Sequence, residues 1–271
     1  HVHALFAWMS GYGKSNAMLV GLTSLIQNNQ GIKFLLADLK GKDLGIFADL
    51  PCVLDYTNTP AGADKMISRA IAMMEERQGM KTYPYRLVFA IDELAEVSKD
   101  MRPQISRLLN LGRDMEINVW GGTQYPTAKE IGENIPQGFT IRLVTRVAES
   151  ISARFVAGVP GSAAEQIETP GDFLLVRSGR VSRLRTFELS RSENARLIGQ
   201  VEATVQPEAQ QPTATVSTTS ANTPNTSNVP AGVAAVFKEY FNDKTGDLDR
   251  GGKAEAKRTL FGEKNVAKSG R

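Results

Sequence analysis

Cysteine is almost missing from this sequence: Cys52 is the one thiol among 271 residues. That excludes an internal disulfide framework and any multi-thiolate metal centre, and it suits a reducing compartment. Histidine is nearly as scarce, with only His1 and His3. The two alternate along one apolar run with no cysteine or carboxylate in register, so no metal site is read from them. Neither sign of charge dominates, since 32 Lys and Arg stand against 29 Asp and Glu for a net charge of +3. So small an excess does not by itself announce a nucleic-acid partner. No apolar run approaches the roughly 18 residues that a bilayer-spanning helix requires. The chain opens on His1 rather than Met, with no signal-peptide pattern behind it. This reads as a piece of a longer protein, with any membrane segment upstream of it.

What is present is a hydrophobic content of 41%, ample for a globular core. Composition changes sharply once. From 201 to 229 the chain is rich in Thr, Ser, Pro, Asn and Gln, with two glutamates and no Lys or Arg. Such a stretch cannot bury enough apolar surface to offset the entropy of ordering and reads as a disordered linker. It divides a globular block, residues 1–200, from a short basic tail, 230–271, with helical spacing through Val233, Val236, Phe237, Tyr240 and Phe241. Within the block, apolar runs at Val2–Phe6, Lys33–Ala37, Arg86–Ile91, Ile117–Trp120 and Thr140–Val144 alternate with helical patterns at Ala17–Ile26, Ala63–Gln78 and Ile105–Leu111. That alternation predicts an α/β fold built on a mainly parallel sheet flanked by helices. Phe173–Val176 and Val181–Leu189, joined by Arg177-Ser178-Gly179-Arg180, add a C-terminal β-hairpin.

Ser10-Gly11-Tyr12-Gly13-Lys14-Ser15 lies between the first apolar run and the first helical one. A phosphate loop requires this strand–loop–helix context. Backbone N–H groups of Gly11, Tyr12 and Gly13 would turn around a β-phosphate, and the helix start adds its partial positive charge. Lys14 would reach the β- and γ-oxygens, and the Ser15 hydroxyl would ligate Mg²⁺. Trp8 stands where such loops usually open with Gly, which predicts an altered loop entry or adjacent surface.

A second signal is an apolar run that ends in Asp92-Glu93. Functional side chains of parallel sheets gather at the carboxyl ends of strands, so Asp92 is placed with Mg²⁺ and Glu93 as the general base for water. Gln124, after the run ending at Trp120, suits a γ-phosphate sensor. Asp38-Leu39-Lys40 closes another run and reads either as part of the nucleotide rim or as a simple strand cap. Arg142, Arg146 and Arg154 are candidates for stabilising charge on a transferring phosphoryl group, alongside the commoner fate of a surface salt bridge. Arg177, Arg180, Arg183 and Arg185 cluster around the hairpin, where they fit DNA phosphates or a solvated charged surface equally well.

Together these residues resemble the FtsK/HerA group of P-loop motor ATPases, FtsK-type DNA translocases in particular. The resemblance runs from His3 to about Leu189. It includes Gly11 to Asn16, Leu36-Ala37-Asp38-Leu39-Lys40, Ile91-Asp92-Glu93, Gly122-Thr123-Gln124-Tyr125-Pro126, Asn134-Ile135-Pro136, Arg146 through Arg154, and Ala164-Glu165-Gln166 ahead of Pro170-Gly171-Asp172. Leu39 replaces the family's usual proline, and a few extra residues lie between Asn134 and Arg142. The resemblance implies a RecA-like core that binds ATP and Mg²⁺, with Asn16 joining the nucleotide loop. It also implies a hexameric ring around double-stranded DNA in which Arg142, Arg146 or Arg154 enters a neighbour's site. A cytoplasmic location follows, with membrane attachment only through a segment outside this chain. Two other readings share the motifs: a conjugation or secretion coupling ATPase acting on nucleoprotein or protein, and a non-hydrolysing scaffold gated by nucleotide.

Overall fold

The computed structural model describes residues 2–9, 14–28, 31–41, 43–186, 190 and 192–197, without the side chains of residues 14 and 15. The expected linker and tail, Gly11 to Gly13 of the loop and 187–189 of the expected hairpin lie outside the described residues. Those residues hold eight strands: β1 (Ala4–Ala7), β2 (Ile32–Ala37), β3 (Val53–Thr57), β4 (Arg86–Ile91), β5 (Ile117–Thr123), β6 (Ile141–Val144), β7 (Asp172–Arg177) and β8 (Arg180–Arg185). They form one sheet in the order β3-β2-β4-β5-β1-β6-β7-β8. Pairings from β3 through β6 are all parallel, and β7 and β8 then continue the sheet antiparallel. Flanking helices are α1 (Lys14–Asn28), α2 (Pro60–Arg77), α3 (Arg102–Leu111), α4 (Ala128–Ile131) and α5 (Ser150–Ala157). The expected α/β class and mainly parallel sheet are present.

Alternation along the strands sorts the core onto two faces. Leu5, Ala7, Leu35, Phe89, Ile91 and Val119 share one buried cluster with Met66, Ala70 and Met74 of α2 and with Ile105 and Leu108 of α3. The Met-rich stripe of α2 is therefore core. Arg77 at its end is buried too, donating to the Met115 carbonyl at 2.8 Å and stacking over Tyr83 and Tyr85. On the other face the Phe6 ring lies 6.1 Å from that of Trp8 and 5.6 Å from that of Trp120. Trp8 is 1% exposed and its backbone N–H donates to Thr123. The indole thus packs into the core behind β1, and the loop entry that it was expected to alter lies outside the described residues.

Other differences from the sequence reading have local causes. β3 was not expected: its five residues are only half-buried or exposed on the sheet edge, so its hydrophobic pattern is weak. As a result, the strand ending in Asp92-Glu93 is fourth in chain order. α2 starts earlier than expected because the Thr59 side chain caps the Gly62 N–H and Pro60 fits the first turn. β5 runs past the expected end at Trp120 through Gly121 and Gly122, wholly buried between β4 and β1.

His3, just before β1, is 1% exposed. Its Nδ1 accepts the Val119 N–H at 2.9 Å, so the ring is held neutral, and burial, aided by Arg113, lowers its pKa to about 4. The unfolded chain binds the proton near 6.5. Stability contributed by neutral His3 is present above pH 6.5 and is lost as pH falls toward 4, by about 3 kcal/mol across that window. Denaturant melts of the wild type and His3→Asn at pH 7, 6 and 5 check this. The wild type should lose more stability on acidification, and parallel curves would place that titration elsewhere.

Candidate nucleotide site

Parallel register brings the carboxyl ends of five strands to one rim. Ala7 of β1 stands beside Thr123 of β5 and Val144 of β6, while Ile91 of β4 lies beside Ala37 of β2 and Gly121 of β5. β1 leads through the loop region into α1, whose first two residues are Lys14 and Ser15. The sequence-predicted residues Asp92, Glu93 and Gln124 meet at this rim.

Asp92 and Glu93 are buried, at 1% and 0% exposure. A buried carboxylate persists only where donors replace water. Asp92 Oδ1 accepts the Leu39 N–H at 2.7 Å and Oδ2 the Lys40 N–H at 3.3 Å. Glu93 accepts the Gln124 backbone N–H at 3.2 Å on both oxygens, and the Lys40 ammonium sits 2.7 Å from Oε2. Asp38 is the loop's cap: its Oδ2 accepts N–H groups of Asp43, Leu44 and Gly45 at 3.0 to 3.2 Å. Asp38 is thus the strand cap, and Leu39 and Lys40 meet the acidic pair.

Two features here escaped the sequence. One is Lys40 as the ion partner of Glu93, since nothing local announces that β2 neighbours β4. The other is Gly122, where an added Cβ would lie 2.3 Å from the Asp92 carbonyl oxygen. Only glycine lets β5 press this closely on the acidic pair.

The three arginines separate. Arg146 follows β6 on the nucleotide rim, where its carbonyl accepts the Met9 N–H at 2.7 Å, beside the exit of β1. Arg142 belongs to the opposite edge. It lines a cavity of about 290 Å³ with Phe139, Thr140, Gly158, Ser178 and Gly179, and burial draws its pKa down. Arg154 is exposed on the last turn of α5. Asn16 donates through Nδ2 to the Thr186 hydroxyl at 3.3 Å, tying the first turn of α1 to the chain beyond β8. On β8, Arg183 and Arg185 are exposed and share Asp172 at 2.8 and 3.8 Å, which partly balances their charge.

A sheet with this strand order, α1 following its first strand, and an acidic pair ending a strand two places away make up the fold of RecA-like P-loop ATPase domains. Solved structures share the fold. The cytoplasmic domain of the Type VII secretion ATPase EccC of Thermomonospora curvata superposes with a TM-score of 0.63 at 18% identity, over 73% of this chain and 28% of that one. The pCW3 conjugation coupling protein TcpA does so at 0.60 and 22% identity, over 73% of this chain and 64% of that one. No protein-family model matches the chain. Among curated proteins it is similar to the DNA translocase FtsK of Lactiplantibacillus plantarum, 28% identical over 217 residues, and to that of Borreliella burgdorferi, 27% identical over 206. These matches cover 68% and 65% of this chain but only 27% and 26% of the two translocases. The chain is thus similar to FtsK-type DNA translocases and spans about a quarter of the length of the two it matches.

Proposed function

We propose that the chain is the ATP-hydrolysing motor core of a double-stranded DNA translocase that works as a ring, with a hexamer as the expected assembly. The observation that carries this reading is the buried Asp92-Glu93 pair on the rim where β1 leaves toward Lys14 and Ser15. The similarity to FtsK translocases supports DNA as the substrate to be moved.

In this reading Gly11, Tyr12, Gly13, Lys14 and Asn16 form the phosphate cradle. The hard oxygens of the Ser15 hydroxyl and the Asp92 carboxylate suit Mg²⁺, which when bound would neutralise charge on the phosphate oxygens. Glu93 takes the proton from the attacking water, held in place by the Gln124 N–H, and the Gln124 amide orients that water. The water oxygen bonds to the γ-phosphorus as the bond to the ADP oxygen breaks. Burial of Glu93 favours this role, because the base keeps one orientation and bulk water is excluded. Arg142, Arg146 or Arg154 enters a neighbour's site; the exposure of Arg154 supports it best, since Arg142 lines a cavity and the Arg146 carbonyl meets Met9 of its own chain. The β8 arginines offer contacts to DNA phosphates. Among the described residues no helix is long and apolar enough to cross a membrane.

ATP turnover by the purified chain, with and without long duplex DNA, tests the proposal. Stimulation by DNA and not by a control protein is the expected result. Stimulation by protein alone would favour a secretion-type coupling ATPase, and nucleotide binding without turnover would favour a nucleotide-gated scaffold.

A further inference from the structure

Glu93 is not poised as a free base. Its Oε2 lies 2.7 Å from Lys40 Nζ, and both of its oxygens share the Gln124 N–H. A carboxylate has about four lone-pair sites, so a water must compete for what these donors leave. The same residue grips the acidic pair twice, since the Lys40 N–H also donates to Asp92. The tip of β2 therefore holds both acids. The two partners differ in their access to solvent: Glu93 is sealed at 0% exposure, while the Lys40 side chain is 24% exposed. Lys40 can return its ammonium to water without leaving the fold, and Glu93 has no such exit.

We propose that Lys40 is a positioning residue that restrains Glu93: in the ligand-free chain its ammonium occupies the base, and turnover requires it to leave. This rests on the hydrolase reading of the site. Held this way, the motor wastes little ATP while idle, and stimulation acts partly by drawing Lys40 off Oε2. Lys40 touches no reacting atom in this scheme and acts through Glu93.

The test compares wild type, Lys40→Met and Lys40→Arg as full chains, in steady-state ATP turnover with and without long duplex DNA. Lys40→Met should raise DNA-free kcat by about tenfold, leave KM within about twofold of the wild type and shrink the stimulation by DNA. Lys40→Arg, which can still pair with the carboxylate, should stay near the wild type. Should Lys40→Met fail to fold, Lys40→Gln supplies a donor without the charge. Thermal melts of the ligand-free chain give a readout independent of turnover. Lys40→Met and Glu93→Gln should be non-additive, because either change alone leaves the other partner without its counter-charge. Unchanged or lower DNA-free kcat in a folded Lys40→Met overturns the restraint, and additive melts overturn the pair itself. A wild type with no turnover under either condition overturns the hydrolase reading and the restraint with it, and this shows in the wild-type arm alone.

Discussion

Glu93→Gln is expected to leave ATP bound and to lower its hydrolysis by roughly a hundred- to ten-thousandfold, the range supplied by a positioned general base. The amide has nearly the volume of the carboxylate, so the sealed pocket beside Gln124 stays filled. One acceptor oxygen remains for the Gln124 N–H, which the carboxylate receives at 3.2 Å. What is lost is the charge and the ability to take a proton. Lys40 loses its ion partner in the same step, but its 24% exposure lets the ammonium reach water. Binding of a slowly hydrolysed analogue should therefore change little while kcat collapses, which separates a base from a ground-state contact. Near-normal turnover in this variant would remove Glu93 from catalysis. The combination with Lys40→Met adds a second constraint. If Lys40 acts only through Glu93, the double variant should be as slow as Glu93→Gln, since releasing an amide frees no base.

How much of this was legible in the sequence depended on the distance over which each signal acts. The apolar run into Asp92-Glu93 and the Met stripe of α2 are local patterns, and each occupies the kind of element it predicts. Strand order is not local. That β4 lies between β2 and β5 decides that Lys40 and Gln124 flank Glu93, and no spacing in the chain encodes it. The arginines show the same limit. Arg142 and Arg146 are four residues apart across a short strand, yet one lines a cavity at the edge opposite the rim and the other stands beside Met9. Trp8 was hard to place for another reason. At the end of a buried strand an indole packs as core against Phe6, whereas in a loop motif it looks like an obstruction. Gly122 carries no signal of its own in the sequence, and its reason is the Asp92 carbonyl packed against it.

Lys14→Ala should abolish ATP-dependent activity by a route distinct from that of Glu93→Gln. An ammonium on phosphate oxygens makes charge-assisted hydrogen bonds worth about 1.5–3 kcal/mol each, so loss of two such bonds weakens nucleotide binding by at least about a hundredfold. Lys14 opens α1, a 15-residue helix, and alanine is the better helix former, so the helix has no local reason to suffer. Lys14→Ala should accordingly melt near the wild-type temperature while failing to bind a labelled ATP analogue. Glu93→Gln binds and does not turn over, and Lys14→Ala does not bind. That contrast separates the two ends of the rim, the loop that holds the phosphates and the strand end that activates water. If Lys14→Ala retained both binding and turnover, the glycine-rich segment before α1 would be an ordinary strand-to-helix turn. Glu93 would then face a rim without a phosphate cradle, and its burial beside Lys40 would be a structural ion pair. Loss of binding in one variant together with loss of turnover in the other leaves no such reading, because a structural pair has no reason to respond to nucleotide.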